Sequence, residues 1–367
     1  MSVIEMTQDD ADQDMIAELR DAAERVVADK ADLARTRRLR RTVPGHDTGL
    51  VDTFVELGWF GVLVPEDKGG LGLGLAETAV LVRTLEKGLI SDPLLPIAVL
   101  GTRTLVHAGR EAADRLLAGV LGGEVRPALA LDFDEALPDV RWSAGRLTGR
   151  CAAVAGGVAA THLIVPVRCD AGVELYAVAV DAPGLVQTQR WRADETPVGQ
   201  VTLDGAEDAI LIASADRGGP AVEAALDETR LVAAAGLVGL GERMLDMTID
   251  YLKVRHQFDV SIGSFQALQH KTVDLYIQKE IAVATVAYGL QLARQGERVM
   301  GALRAKGRAS AAANRIGREA LHLHGAIGFT DEHDIGLYLK RALTLSAWLG
   351  NAAVHRRRYI EMGMIRP

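Results

Sequence analysis

Beyond about residue 219 the chain is committed to long helices. Leu237, Leu240, Met244, Met247 and Tyr251 recur at spacings of three and four, which draws one apolar stripe down a helical face. A second helical pattern starts near Ser264 and runs to about Arg294, and a third covers roughly 302 to 322. A fourth follows the loop "HGAIGFTDEHD" and carries "IGLYLKRALTLSAWLGNAAVHRRRYIEMG". Helices striped in this way must pack on one another, so residues 219–367 are expected to form a four-helix bundle. In that loop Glu332 and Asp334 are read as caps of the last helix.

The texture upstream is different. "THLIVPVR", "VELYAVAV" and "GQVTLDG" are short β-rich runs separated by Gly, Pro and Asp, and they predict a compact antiparallel β domain over 126–218. Residues 1–125 read as helices punctuated by glycine and proline, as in "VPEDKGGLGLG" at 64–74. The fold class is therefore α+β and mostly helical, in the order helical domain, small β domain, helical bundle.

Composition narrows the function. A net charge of −8 over 367 residues argues against nucleic-acid binding, which needs a basic face. Arg35, Arg37, Arg38, Arg40 and Arg41, and later Arg356 to Arg358, form basic runs. They read as solvated helix faces or as contacts to an anionic ligand such as a CoA phosphate. The two cysteines, Cys151 and Cys169, offer neither a disulfide framework nor a zinc spacing. The acidic start "MSVIEMTQDDADQD" does not read as a signal peptide, and no run has the length of a membrane span. A cytoplasmic protein is expected. No GxGxxG, GxxxxGK[ST], HExxH or GxSxG motif occurs, so any nucleotide is held by another device.

"RHQFDVSIGSFQALQH" (255–270) is a candidate for that device. Arg255, Gln257 and Phe258 sit where one helix ends and another begins, beside free backbone N–H groups and a positive dipole end. Arg supplies a fork for phosphate oxygens, Gln a reach to a ribose or adenine edge, and Phe a cover for a ring. The same residues would also suit an inter-helix salt bridge with Phe in the core.

Four landmarks in order carry a resemblance to the acyl-CoA dehydrogenase family over essentially the whole chain. "LGWFGVLVPEDKGGLGLG" (57–74) resembles its N-terminal signature, and "LDETRLVAAAGLVGLGERMLD" (226–246) its first C-terminal helix. "RHQFDVSIGSFQALQH" resembles the pattern R-x-x-F-G-x-P-I-x-x-F-Q, and "HGAIGFT" the glycine turn. The resemblance implies FAD as cofactor, an acyl-CoA substrate oxidised between its α and β carbons, and an acceptor of the electron-transfer-flavoprotein type. It also implies a flavin lying across a subunit interface. Arg255, Gln257, Phe258 and Gln266 would then touch a partner subunit's FAD, with Gly325, Ala326 and His322 or His324 lining the same nucleotide. Asp259 and Ser261 stand where the family usually has Gly and Pro, and Asp259 brings a negative charge near the phosphates.

Departures from the family are as informative as the matches. Where the family opens its β domain with a T-E-P-x-x-G-S-D-like segment, this chain reads "LALDFDEALPDV" (129–140). The W-[IV]-[ST]-like flavin contact is replaced by "CAAVAGGVAATHL" (151–163), with nothing aromatic beside it. The family's catalytic carboxylate falls, by position, on Leu349, and in another branch on Thr229, so both usual base positions are empty. Glu228 is adjacent, but one residue is about 100° around a helix, so it reads as solvated or salt-bridged.

Three readings remain open. In the first, the chain is a non-catalytic subunit of a heterotetrameric (α2β2) dehydrogenase, resembling those of actinobacterial steroid catabolism, whose paralogous partner supplies the base. In the second, it is a self-sufficient enzyme with a carboxylate relocated to Glu228, Asp132, Asp134 or Glu135. In the third, it is a flavin-free acyl-CoA-binding scaffold.

Overall fold

The β-rich runs form eight strands that pair into two four-stranded sheets. They are β1 (Pro127–Leu129), β2 (Asp139–Ser143), β3 (Arg146–Val154), β4 (His162–Cys169), β5 (Gly172–Ala179), β6 (Leu185–Trp191), β7 (Pro197–Ala206) and β8 (Ile210–Ala213). One sheet has the order β1-β4-β5-β8 and the other β2-β3-β7-β6. The computed structural model describes residues 10–90, 93–132 and 135–363; the start of the acidic N-terminal segment and Asp134 lie outside them.

The expectation of an antiparallel domain holds for all strand pairs of the two sheets but one. β1 pairs with β4 in parallel, Pro127 opposite His162. The chain reaches β1 from a helix rather than from a hairpin, so no tight turn imposes an antiparallel sense. β4 is buried from Leu163 to Val167, as its unbroken apolar run requires of a central strand. Its Pro166 falls beyond the last residue bonded to β1, where a missing N–H takes nothing from that ladder.

The chain divides into two compact units. One gathers Arg37–Thr78 and Ser91–Thr229. In this unit α3 (Thr48–Glu56), which follows α1 (Asp10–Lys30) and α2 (Leu33–Leu39), is capped by Asp47, whose carboxylate accepts from the Gly49 and Leu50 N–H groups. Phe54, Trp59 and Phe60 fill its core, the first two rings 5.3 Å apart. The "VPEDKGGLGLG" loop folds back on itself through Gly70 N–H to Pro65 O and Gly72 N–H to Val64 O. A side chain at Gly70 would lie 2.2 Å from the Val64 carbonyl, which explains the glycine. α4 (Leu75–Lys87) comes next. A wide π-helical turn, Leu95–Gly101, then leads into α5 (Thr102–Ala108) and α6 (Glu111–Gly122).

The other unit holds residues up to Thr36, Ala79–Ile90 and everything described from Arg230 on. α7 (Ala215–Val254) continues into it, followed by the short strands β9 (His256–Gln257) and β10 (Val260–Ser261). The remaining helices are α8 (Gln266–Arg294), α9 (Arg298–His324), α10 (Ile335–Ala347) and α11 (Ala352–Glu361). Leu237, Leu240 and Met244 are buried along α7 as the stripe requires. Glycine sets the closest helix contacts: a Cβ on Gly301 would stand 2.3 Å from the Gly289 carbonyl. Buried Glu86 is met by Arg341, Nη2 to Oε1 at 2.6 Å, which ties α4 to α10.

Two expectations are corrected in this unit. The last helical segment is not continuous but breaks between α10 and α11, where Leu349 (φ +59°) and Gly350 (φ +89°) turn left-handed and Asn351 caps the new helix. The start of α10 is not capped by the carboxylate of Asp334; the Ile335 N–H donates instead to His333 Nδ1 at 3.2 Å. Among the described residues no helix is long and apolar enough to cross a membrane.

Candidate functional site

α7 runs out at Val254 with one further bond, Arg255 N–H to Tyr251 O. β9 and β10 then form a two-residue hairpin whose central residues, Phe258 (φ +56°) and Asp259 (φ +63°), are both left-handed. A type I′-like turn demands this at both positions, and Asp tolerates it far better than Phe does. Asp259 in the usual glycine place is thus explained by the turn itself. Phe258 is held in an unfavourable conformation and still left 86 % exposed, the pattern of a residue positioned for a ligand or partner. The alternative of a core Phe beside an inter-helix salt bridge is excluded for this residue, and Arg255 and Gln257 are exposed as well. Phe265 meets Phe258 edge-on at 6.2 Å and precedes Gln266 at the exposed start of α8, where no side chain caps the helix.

The second turn begins at Gly325 (φ +63°), where an added Cβ would meet nothing within 4 Å. Gly325, Ala326 and His322 are exposed, and Phe329 is 72 % exposed. His324 points the other way. It is buried, its Nδ1 lies 2.7 Å from the Ala320 carbonyl, and its ring stacks on Tyr251 at 4.6 Å. Of the two histidines, only His322 faces outward with the glycine turn. Burial holds His324 below its ordinary pKa, with the His333 ring 4.5 Å away. Tyr251 therefore joins both turns: its carbonyl accepts from Arg255, and its ring carries the residue before Gly325. Both landmarks stand at one end of the bundle.

The base positions carry no acid. Leu349 is buried in its left-handed turn, its carbonyl accepting from Arg230 Nε. The fully buried Lys306 donates to the Ser346 and Gly350 carbonyls, both at 3.1 Å, and so holds the same turn. Thr229 is buried, with its hydroxyl given to the Ala225 carbonyl. Glu228 is not solvated. It is buried and held by Arg103 Nε at 2.6 Å and His107 Nε2 at 3.1 Å. Burial pushes this carboxyl up, but the His107 and Arg103 hydrogen bonds outweigh it and set it at about 2, well below the ordinary 4.5. A carboxylate so paired is a poor proton acceptor near neutrality. Arg103 and His107 carry no motif; their role is visible only through Glu228.

In the β-rich unit Asp132 accepts from the Ala152 N–H, so an acid occupies a strand donor at the start of the region where the family's flavin segment falls. Cys151 is buried and its thiol is pushed up to about 12, first by burial and then by Asp132. That donor set does not suit an anionic or hydrogen-bonding flavin edge. The exposed cation, amide, aromatic ring and open glycine of the two turns do suit a dinucleotide. Of the basic runs, Arg40 and Arg41 pair with Glu195, while Arg356 and Arg357 are exposed.

A helical unit, two small sheets and a bundle ending in these turns define the acyl-CoA dehydrogenase architecture. Residues 10–124 match the family's N-terminal domain and residues 216–364 its C-terminal domain. The acyl-CoA dehydrogenase IpdE2 of Mycobacterium tuberculosis is 30 % identical over 327 residues, covering 88 % of this chain and 89 % of that protein. A solved Tcur3481–Tcur3483 steroid ACAD variant superposes with a TM-score of 0.86 at 29 % identity, over 96 % of this chain and 98 % of that one. The ChsE4–ChsE5 complex from Mycobacterium tuberculosis gives 0.86 at 26 % identity, over 98 % and 99 %. The chain belongs to the acyl-CoA dehydrogenase family.

Proposed function

We propose that this chain is the non-catalytic subunit of a heteromeric, FAD-dependent acyl-CoA dehydrogenase. Arg255, Gln257, Phe258, Gln266, His322, Gly325 and Ala326 reach a nucleotide whose flavin rests on a paralogous partner, and that partner provides the carboxylate. FAD, when bound, supplies the two-electron acceptor of an α,β-desaturation. This chain's residues bind and orient; none moves the substrate proton. The observation that carries the reading is the pairing of an intact, exposed arm with base positions held by Leu349 and Thr229.

Two of the four carboxylates that the self-sufficient alternative could use are already engaged. Glu228 is locked by Arg103 and His107, and Asp132 by a backbone N–H. The relatives whose names or titles mention steroid or a two-protein complex favour a bulky, steroid-side-chain acyl-CoA and an α2β2 assembly. An acceptor of the electron-transfer-flavoprotein type is the expected electron outlet. The test is the FAD-to-protein ratio of the chain purified alone and co-expressed with a paralogous dehydrogenase subunit. Colourless protein alone, with about one FAD per heterodimer, is expected from the shared site; one FAD per chain alone overturns it.

A further inference from the structure

The glycine turn belongs to a loop with few anchors of its own. From Gly325 to Glu332 only Gly328 is buried, and a glycine brings no side chain to a contact. Within the loop the Thr330 N–H and hydroxyl both donate to the Ile327 carbonyl, at 3.1 and 2.8 Å, which bends the segment without tying it to a helix. A surface loop of this size keeps its shape when its two ends are held close together.

Two imidazoles hold those ends. His324 closes α9 and His333 stands just before α10, with their ring centroids 4.5 Å apart. Tyr251 of α7 completes the cluster, stacked on His324 at 4.6 Å and edge-on to His333 at 6.4 Å. Each imidazole is aimed by its own helix. His324 Nδ1 donates to the Ala320 carbonyl at 2.7 Å, whereas His333 Nδ1 accepts from the Ile335 N–H at 3.2 Å. Ile335 is fully buried, so His333 is fixed to a packed helix start. Capping α10 needs only an acceptor there, which a short side chain such as Asn supplies. A ring in that place, laid against the residue before Gly325, also fixes the path by which the loop leaves α9.

We propose that His333 is a positioning residue for the glycine turn: its ring closes the loop 325–332 against His324 and Tyr251, so that Gly325 and Ala326 are presented in one arrangement. Presentation to a nucleotide rests on the proposed function; the closure itself does not. His333 needs no contact with the ligand, because it acts through His324. A loop closed in advance spares the bound state the cost of ordering it.

Two variants separate this role from capping. In His333→Asn the amide oxygen can still accept from the Ile335 N–H, but the ring is gone; in His333→Phe the ring stays and the acceptor is lost. FAD dissociation is read by flavin fluorescence on dilution of the full chain co-expressed with a paralogous dehydrogenase subunit. Stability is read by circular dichroism melting of the isolated chain. His333→Asn should loosen FAD about fivefold with little change in melting, the scale of one lost ring contact. His333→Phe should melt lower and yet retain FAD to within about twofold of wild type, since the ring contact survives. FAD retention that follows melting, with His333→Phe the weaker binder, would reduce His333 to a helix cap and overturn the proposal. So would FAD binding unchanged in both variants. Closure is read without flavin by chymotryptic cleavage at Phe329, which is 72 % exposed within the loop. In the isolated full chain His333→Asn should be cut faster than wild type and His333→Phe should not; equal rates in all three overturn the closure. A wild-type complex that assembles without FAD would sink the functional reading, and the cleavage rates would still decide the closure.

Discussion

Arg103 Nε lies 2.6 Å from Glu228 Oε2, and His107 Nε2 lies 3.1 Å from the other oxygen of the same carboxylate. The nearest acid to an expected base position is thereby turned into a structural anion. Its neighbour Thr229 is spent on the helix backbone.

Glu228→Gln should therefore destabilise the protein by about 3 kcal/mol, the scale of breaking one side of a buried ion pair. A carboxyl depressed in the fold stabilises above its unfolded pKa and loses that contribution as pH falls. The wild-type contribution is full above 4.5 and fades through about 2. Denaturant melts of both proteins across that range check the window. A wild-type slope identical to that of the mutant would show the ion pair to be idle.

His355 carries an acid liability of the same sign. It is fully buried, and burial followed by Lys306, Arg230 and Arg358 lowers it from 6.5 to about 3. Its neutral form is favoured by folding, so stability is present above 6.5 and falls by up to about 1.4 kcal/mol per pH unit below it. His355→Leu should flatten that part of the stability–pH curve, as measured by chemical unfolding between pH 7 and about 4.

Gly350→Ala tests the turn that places Leu349. The residue has φ +89°, and a Cβ there would lie 3.0 Å from the His355 ring. A loss of about 2 kcal/mol is expected from strain at a left-handed position with no room for a side chain. Thermal unfolding followed by circular dichroism reads it directly.

Arg255→Ala in the assembled complex should weaken FAD binding by about 2 kcal/mol, the scale of a lost charge-assisted contact. Flavin fluorescence on dilution measures it. Full retention of FAD would remove Arg255 from the site.

The two thiols should separate cleanly. Cys169 is exposed, whereas Cys151 is buried and its thiol is pushed up to about 12. A thiol reagent near pH 8 should label Cys169 in the native chain, and Cys151 should react only after unfolding, as mass spectrometry of the labelled peptides would show.

The order of helical, β-rich and helical segments was legible in the sequence because periodicity is a local property. A stripe such as Leu237–Leu240–Met244 needs no knowledge of what covers it. The two turns were legible for a similar reason: Arg-x-x-Phe and His-Gly-Ala-x-Gly carry their geometry in a few adjacent residues. Other features depended on distant parts of the chain. Glu228 is locked by residues more than 100 positions away, and the break at Leu349 is braced by Arg230 and Lys306 from two other helices. The choice between His322 and His324 turned on Tyr251, a residue read from the sequence only as part of a stripe. Local spacing determined the elements of this protein; contacts between residues far apart in the chain decided which side chains are spent on the fold and which are left to bind.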